Sequence, residues 1–380
     1  MDIEILASTK QGYQPDLREQ EIFSGKMAGI CYMKGDFETI NNEKVEDTDK
    51  RIQRTLSGGH HSVYDHSKIT FYFENTPKLF AMLLNNEKMY TTSEKSARYT
   101  EMKLEGMEEE LFNKWKEKLV PIITEKYGHL KYFSNFRVDK LANENARYFT
   151  SVMTPTCFAH TISLRQLNYY VAWMQNFRNE TNPLYKMLIP TADEFCERIE
   201  AMGLLDPQLM QDGKGRGFSL IGKRARDSQF GENYSVNYRG SFAMLAQAQR
   251  HRTLDYEISP TDEKVEFFVP QFLVEDLAEE WLADMKKVAE IVPQGQLVTI
   301  NERGTYENLI LKAKERLCTN AQLEVMQNTN NTINHIINRT DNPFVKEDLK
   351  NIAKGARCTF GYKCDKPCGF KEGIDLTRDI

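Results

Sequence analysis

Arg250, His251 and Arg252 stand in a row, and Gln247 lies three residues before them, where the apolar stretch SFAMLAQAQ ends. Two guanidiniums that close repel each other unless an anion sits between them, so the tripeptide reads as a wall of an anion site. The anion is either one of the protein's own carboxylates or a ligand. Gln247 and Arg250 share a face if the segment is helical. A second candidate is EKSARY, where Glu94 precedes Ser96, Ala97 and Arg98. There a hydroxyl, a backbone amide and a guanidinium can all address one oxyanion, although an ordinary basic surface reads the same way. Arg147, in ENAR, and Arg316, in KERLCTNAQLE, add two more cations. His60, Ser62, Asp65 and His66 follow a Ser-Gly-Gly turn in HHSVYDH. Their spacing offers no helical face that would aim two imidazoles and a carboxylate at one metal, so a non-metal ligand or a structural loop fits better. Cys358, Cys364 and Cys368 cluster near the end of the sequence and could supply most of a structural zinc site, with Cys318 or His335 as a fourth ligand. The two-residue spacing of zinc knuckles is missing there, and three free thiols are the alternative. GKGRG (213–217) matches neither phosphate-loop pattern in spacing.

These groups need elements to hold them. Residues 104–126, 161–178 and 273–289 carry apolar side chains at helical intervals, and the first has acids early and bases late, as the helix dipole favours. SKITFYFE (67–74) and KVEFFVP (264–270) read as strands. Residues 206–229 are rich in Gly, Lys and Asp and read as a connection, with Phe218, Leu220 and Ile221 available to pack. At 380 residues, 40% hydrophobic and 28% charged, the chain has material for two domains with real cores. A net charge of −5 argues against a nucleic-acid wrapper or a membrane-surface protein. The first residues lack a signal-peptide pattern, no apolar run could span a membrane, and seven scattered cysteines favour free thiols; the expectation is a cytoplasmic protein.

The sequence also resembles itself. FAML recurs at 80–83 and 242–245, and TISLRQLNYYVAWM (161–174) pairs with TINERGTYENLILKAKERL (299–317) through an initial Thr-Ile. Two loosely matching halves predict an ancient duplication.

The order H-x-S-x-x-D-H, strand, Glu, S-x-R-Y, AR, then RHR and R-x-x-x-x-A-Q-x-E resembles the flavin-dependent thymidylate synthases, the ThyX family. The hallmarks are divided. The first half keeps the His/Asp element and Ser96, Arg98 and Tyr99, but reads NEK (86–88) at the RHR position and Met174 opposite Arg316. The second half keeps Gln247, RHR, Arg316, Ala321, Gln322 and Glu324, and has Glu290 opposite Arg147. Asp65 stands where the family usually has Glu, Ser163 where Asn is usual, and Pro260 where a Ser follows RHR.

The resemblance implies an α+β protein of two tandem ThyX-like α/β domains forming a pseudo-dimer, which pairs as a homodimer into a pseudo-tetramer. Boundaries are expected at 1–205 for the first domain, 206–228 for a linker, 229–345 for the second domain and 346–380 for the cysteine-containing tail. It implies a methyltransferase that converts dUMP to dTMP with FAD, NADPH and methylene-tetrahydrofolate. Ser96, Ala97, Arg98, Arg147, Gln247, Arg250 and Arg316 would hold dUMP, with Arg316 and Arg250 acting on the reacting ring. His60, Ser62, Asp65, Glu94, Arg250, His251 and Arg252 would hold FAD. Two alternatives stay open: an enzyme modifying C5 of another pyrimidine nucleotide, and a catalytically silent nucleotide- or nucleic-acid-binding protein.

Overall fold

The computed structural model describes residues 1–9, 15–31, 36–97, 100, 102–130, 135–211, 217–221, 229–230, 233–251, 254–259, 265–318 and 321–353. The chain forms two compact units. Unit 1 comprises Met1–Lys95 with Pro155–Phe218, and unit 2 comprises Ser96–Thr154 with the chain from Ser219 onward. Both mix helix and sheet, as an α+β fold requires.

In unit 1, β1 (Asp2–Ser8), β2 (Lys68–Pro77), β3 (Thr91–Glu94) and β4 (Pro155–Ser163) make an antiparallel sheet in the order β1-β2-β4-β3. The expected strand at 67–74 is β2. Its Ile69, Phe71 and Phe73 alternate into the core, because side chains of a strand point to opposite faces in turn. Around the sheet lie α1 (Leu17–Ile30), α2 (Phe37–Asn41), α3 (Val45–Ser57), α4 (Lys78–Leu84), α7 (Leu164–Phe177), α8 (Pro183–Lys186) and α9 (Ile189–Ala201). Helix α4 leaves β2 without a loop, and all its residues but Lys78 are buried. Helix α7 leaves β4 the same way; the Ser163 side chain accepts the Gln166 N–H at 3.1 Å and caps it. Gly25 lets α1 approach α3, since a Cβ there would lie 2.6 Å from Ile52.

Unit 2 repeats this order. Strands β5 (Gln229–Phe230), β6 (Asn233–Ser241), β7 (Asp255–Ser259) and β8 (Leu297–Thr305) form an antiparallel sheet ordered β5-β6-β8-β7. Helix α10 (Phe242–Ala248) leaves β6, and α12 (Tyr306–Arg316) leaves β8. Ser241 and Thr305 cap them by accepting from Met244 N and Asn308 N. Helices α13 (Leu323–Arg339) and α14 (Pro343–Ala353) pack on α12 through Leu309, Ala313, Ile333, Ile337 and Leu349.

The compact units divide the chain differently from the expected boundaries at 205 and 229. Helices α5 (Gly106–Tyr127) and α6 (Asn135–Ala146), written in the first half, pack in unit 2 against α11 (Asp276–Lys287). The reason is apolar matching. Leu111, Trp115, Leu119 and Ile123 form one buried stripe of α5, closed by Trp281 and Met285, and the two indoles meet edge to face at 4.8 Å. Residues 265–270 are not a strand. Only Phe267 bridges, to Gln296, while the Phe268 carbonyl accepts the Trp281 indole N–H at 2.8 Å. The connection packs as expected: Phe218 is buried against Tyr170 and Trp173, and Leu220 is buried with its carbonyl accepting Ile258 N. Among the described residues no helix is long and apolar enough to cross a membrane.

The shared strand order also corrects the internal alignment. Thr161-Ile162 ends β4, whereas Thr299-Ile300 lies in mid β8; the equivalent residues are the capping pair Ser163 and Thr305. FAML begins at the third residue of α4 but at the first of α10.

Candidate functional site

The basic group of unit 2 is built at the end of α10. Phe242, Ala243, Met244, Leu245 and Ala248 bury the helix, which fixes its roll and leaves Gln247 at its exit. A short 3-10 turn, Gln249–His251, then carries Arg250 to a partly exposed position. Arg316, the last residue of α12, donates from Nη2 to the Gln247 carbonyl at 3.1 Å. The Gln247 side-chain oxygen accepts the backbone N–H of Gln322 at 2.8 Å. Arg147 sits in a 3-10 turn after α6, 7% exposed, and donates to the Ala243 carbonyl at 3.3 Å and to Gln322 Oε1. Of three expected nucleotide residues, Arg147 and Gln247 both meet Gln322, and Arg316 joins them through Gln247.

A second layer holds that glutamine. Gln322 Nε2 donates to the Tyr148 hydroxyl, which donates to Glu324 Oε2 at 2.8 Å. Glu324 also accepts the backbone N–H of Ser241 at 2.8 Å and its hydroxyl, so the start of α10 is tied to the same segment as its end. Burial pushes the Glu324 carboxyl above its usual range, and burial followed by the Glu324 charge pushes the Tyr148 hydroxyl up as well.

Unit 1 carries the other set. His60 and Ser62 are exposed in and beside a 3-10 turn, His61–Asp65. Asp65 accepts the Ser163 hydroxyl at 2.6 Å and pairs with Arg165 at 2.7 Å, and Arg165 lies over the Tyr169 ring at 5.2 Å. His61 bridges the Tyr169 hydroxyl at 3.1 Å and the Leu56 carbonyl at 3.2 Å. Arg165 and Tyr169 were not singled out from sequence. The signal available was their place two and six residues after a Ser that ends a strand and caps a helix. Glu94 points inward, paired with Lys78 and hydrogen-bonded by Asn85 and Thr156 at 3.4 Å each. Ser96 and Ala97 follow β3 and open the unit 2 stretch, partly buried.

Arg98, Arg252, Cys358, Cys364 and Cys368, with the side chain of His251, lie outside the described residues. Among the described residues no group of three or more His, Cys, Asp or Glu could hold a metal ion, and zinc has no support. Cys31, Cys157, Cys196 and Cys318 are free thiols.

Sequence reasoning also missed a buried charge pair in unit 2. Glu302 is 0% and Lys312 1% exposed, 2.6 Å apart. Glu302 also accepts from Tyr234 at 2.8 Å and Tyr238 at 2.7 Å, so its carboxylate is well satisfied away from water. Burial raises both hydroxyls well above the usual tyrosine value, with the Glu302 charge adding to it.

A family model described as Thymidylate synthase complementing protein matches residues 18–179. Through this stretch the chain is similar to the ThyX family. The stretch holds His60, Ser62, Asp65, Glu94, Ser96, Ala97 and Arg147, and ends before Gln247, Arg250 and Arg316. A flavin-dependent thymidylate synthase of Pyrococcus furiosus is 25% identical over 157 residues, 38% of this chain and 62% of that protein. The Pyrococcus abyssi synthase is 24% identical over 146 residues, 35% of this chain and 56% of its own length. The chain thus spans about three fifths of these curated relatives. Among solved structures, the UMP/dUMP methylase PolB of Streptomyces cacaoi with 5-Br dUMP aligns at a TM-score of 0.33 and 14% identity, over 55% of this chain and 93% of that one. The Helicobacter pylori ThyX with FAD and dUMP aligns at 0.32 and 17%, over 55% and 99%.

Proposed function

We propose that the chain is a flavin-dependent enzyme that methylates dUMP to dTMP, with methylene-tetrahydrofolate as one-carbon donor and NADPH as reductant. The observation that carries this reading is a connected cluster, in which Arg147 and Gln247 both bond Gln322 and Arg316 bonds the Gln247 carbonyl, in a chain whose residues 18–179 match the ThyX model. A nucleotide phosphate needs donors that are not cancelled by neighbouring acids. Here Asp65 is paired with Arg165 and Glu94 with Lys78, while His60 and Ser62 are exposed. The residues therefore suit anionic ligands, both the nucleotide and FAD.

A bound flavin supplies the hydride chemistry. His60, Ser62 and Asp65 would hold it, with Arg250, His251, Arg252 and Glu94. The chain's own part is binding and electrostatics. Ser96, Ala97, Arg98, Arg147, Gln247 and Arg250 would hold dUMP. The Arg316 guanidinium would stabilise negative charge developing on the pyrimidine as its C5 attacks the donor methylene. The division of these residues between two repeats supports a duplicated chain, working as a pair that supplies four repeats.

The test combines absorbance and mass. After reconstitution with FAD the purified chain should be yellow, and a single turnover with dUMP, methylene-tetrahydrofolate and reduced flavin should yield dTMP. A colourless chain, or a nucleotide of unchanged mass, overturns the reading; methylation of a different pyrimidine nucleotide instead keeps the flavin part and overturns the substrate.

A further inference from the structure

Gln322 is 2% exposed, and every polar group it carries is committed within unit 2. Its backbone N–H can only donate, so the Gln247 oxygen must face it at 2.8 Å and the Gln247 NH2 group is turned the other way. Arg147 likewise can only donate, so the Gln322 oxygen faces Arg147 and the Gln322 NH2 faces the Tyr148 hydroxyl. The Tyr148 proton then goes to Glu324, which also takes both Ser241 donors. Each of these bonds has one possible direction, and both amides are fixed in one orientation. A buried network satisfied in this way is stiff, and breaking it leaves a buried donor or acceptor without a partner.

We propose that Gln322 is a positioning residue for nucleotide binding: its side chain sets the Arg147 guanidinium, and its backbone N–H sets the Gln247 amide with donors outward. The inference rests on the function proposed above. Gln322 itself touches no ligand; it acts through Arg147 and Gln247, so its loss should weaken dUMP binding more than it weakens the fold.

Gln322→Met keeps the length of the side chain and the backbone N–H but removes the amide. Titration of the full chain with dUMP should show the dissociation constant raised about tenfold, as for a lost hydrogen bond to a charged group, and KM for dUMP should rise more than kcat falls. Gln322→Glu keeps an acceptor for Arg147 and should recover most of that loss; it also serves if the Met variant does not fold. In an Arg147→Ala background, Gln322→Met should add less than about twofold, because the two substitutions remove the same interaction. A folded Gln322→Met chain that binds dUMP as the unsubstituted one does, a Glu variant as weak as Met, or losses that multiply in the double variant would overturn the positioning role. Failure of the unsubstituted chain to bind dUMP overturns the function itself.

Discussion

The two sheets share a strand order and differ in what they do with it. In each, a buried helix leaves the second strand in sequence, and the next turn begins nine residues after the cap. In unit 1 that turn is Asn86-Glu87-Lys88, with Asn86 and Glu87 buried and the Glu87 carbonyl accepting from Gln166 at 2.7 Å and Tyr170 at 3.3 Å. In unit 2 the counterpart begins at Arg250, inside the turn Gln249–His251, and Arg250 is partly exposed. Eleven residues after the helix caps Ser163 and Thr305 stand Met174, 1% exposed, and Arg316, held against Gln247. Unit 1 uses these positions for packing, and unit 2 has cations there. The sheet tolerates both, because its register depends on the alternation along its strands and not on what the helix exits carry.

That contrast can be broken at several points. The largest expected effect is on the buried pair: Lys312→Met leaves Glu302 charged and without its counter-ion in the core, and should cost about 3–5 kcal/mol in urea unfolding. Next come the counterparts Met174 and Arg316. Met174→Ala should cost about 2–5 kcal/mol of stability through the cavity it leaves. Arg316→Ala should instead lower kcat by about a hundredfold or more with little change in melting; equal thermal losses in the two variants would erase the distinction.

A pH series run with and without Glu21 isolates one carboxyl of unit 1. Burial, then hydrogen bonding to Asp206, raises the Glu21 carboxyl from 4.5 to about 7. The native state therefore holds a proton that the unfolded chain has already released, and stability falls as pH rises between those values. Urea midpoints should decline from about pH 5 to about pH 8, and Glu21→Gln should flatten that slope. The smallest effect belongs to Arg165→Met, whose partly exposed pair with Asp65 should contribute less than about 1 kcal/mol to unfolding while flavin affinity drops; a loss matching that at Lys312 would show the two pairs to be alike.

Much of this was legible from residue patterns. Alternation gave β2, and helical spacing gave α5, α7 and α11 to within a few residues, because burial on one face leaves a period in the sequence. Only the resemblance grouped Arg147, Gln247 and Arg316, and Gln322, which bonds the first two, was not singled out as their partner, since a buried amide has no periodic signature. KVEFFVP has strand composition, yet its apolar side chains serve the α11 core, and its backbone pairs only briefly at the entry to β8 before the Phe268 carbonyl turns to a tryptophan. The Thr-Ile match misled because two residues weigh less than a helix cap. Assignment of α5 and α6 to the later unit was out of reach: an amphipathic face announces that it needs a partner without saying which.

That last pairing bears on how the protein is made. Trp115 leaves the ribosome well before Trp281 is synthesised, on the order of ten seconds earlier at ordinary elongation rates. Through that interval the nascent chain has α6 and Phe149 to set against Leu111, Trp115, Leu119 and Ile123 but not Trp281 or Met285, which leaves part of the stripe bare, a natural target for chaperones. A fragment released after the first two hundred residues would keep that bare stripe for good, so expressing the first half alone should give aggregates where the full chain gives a soluble product.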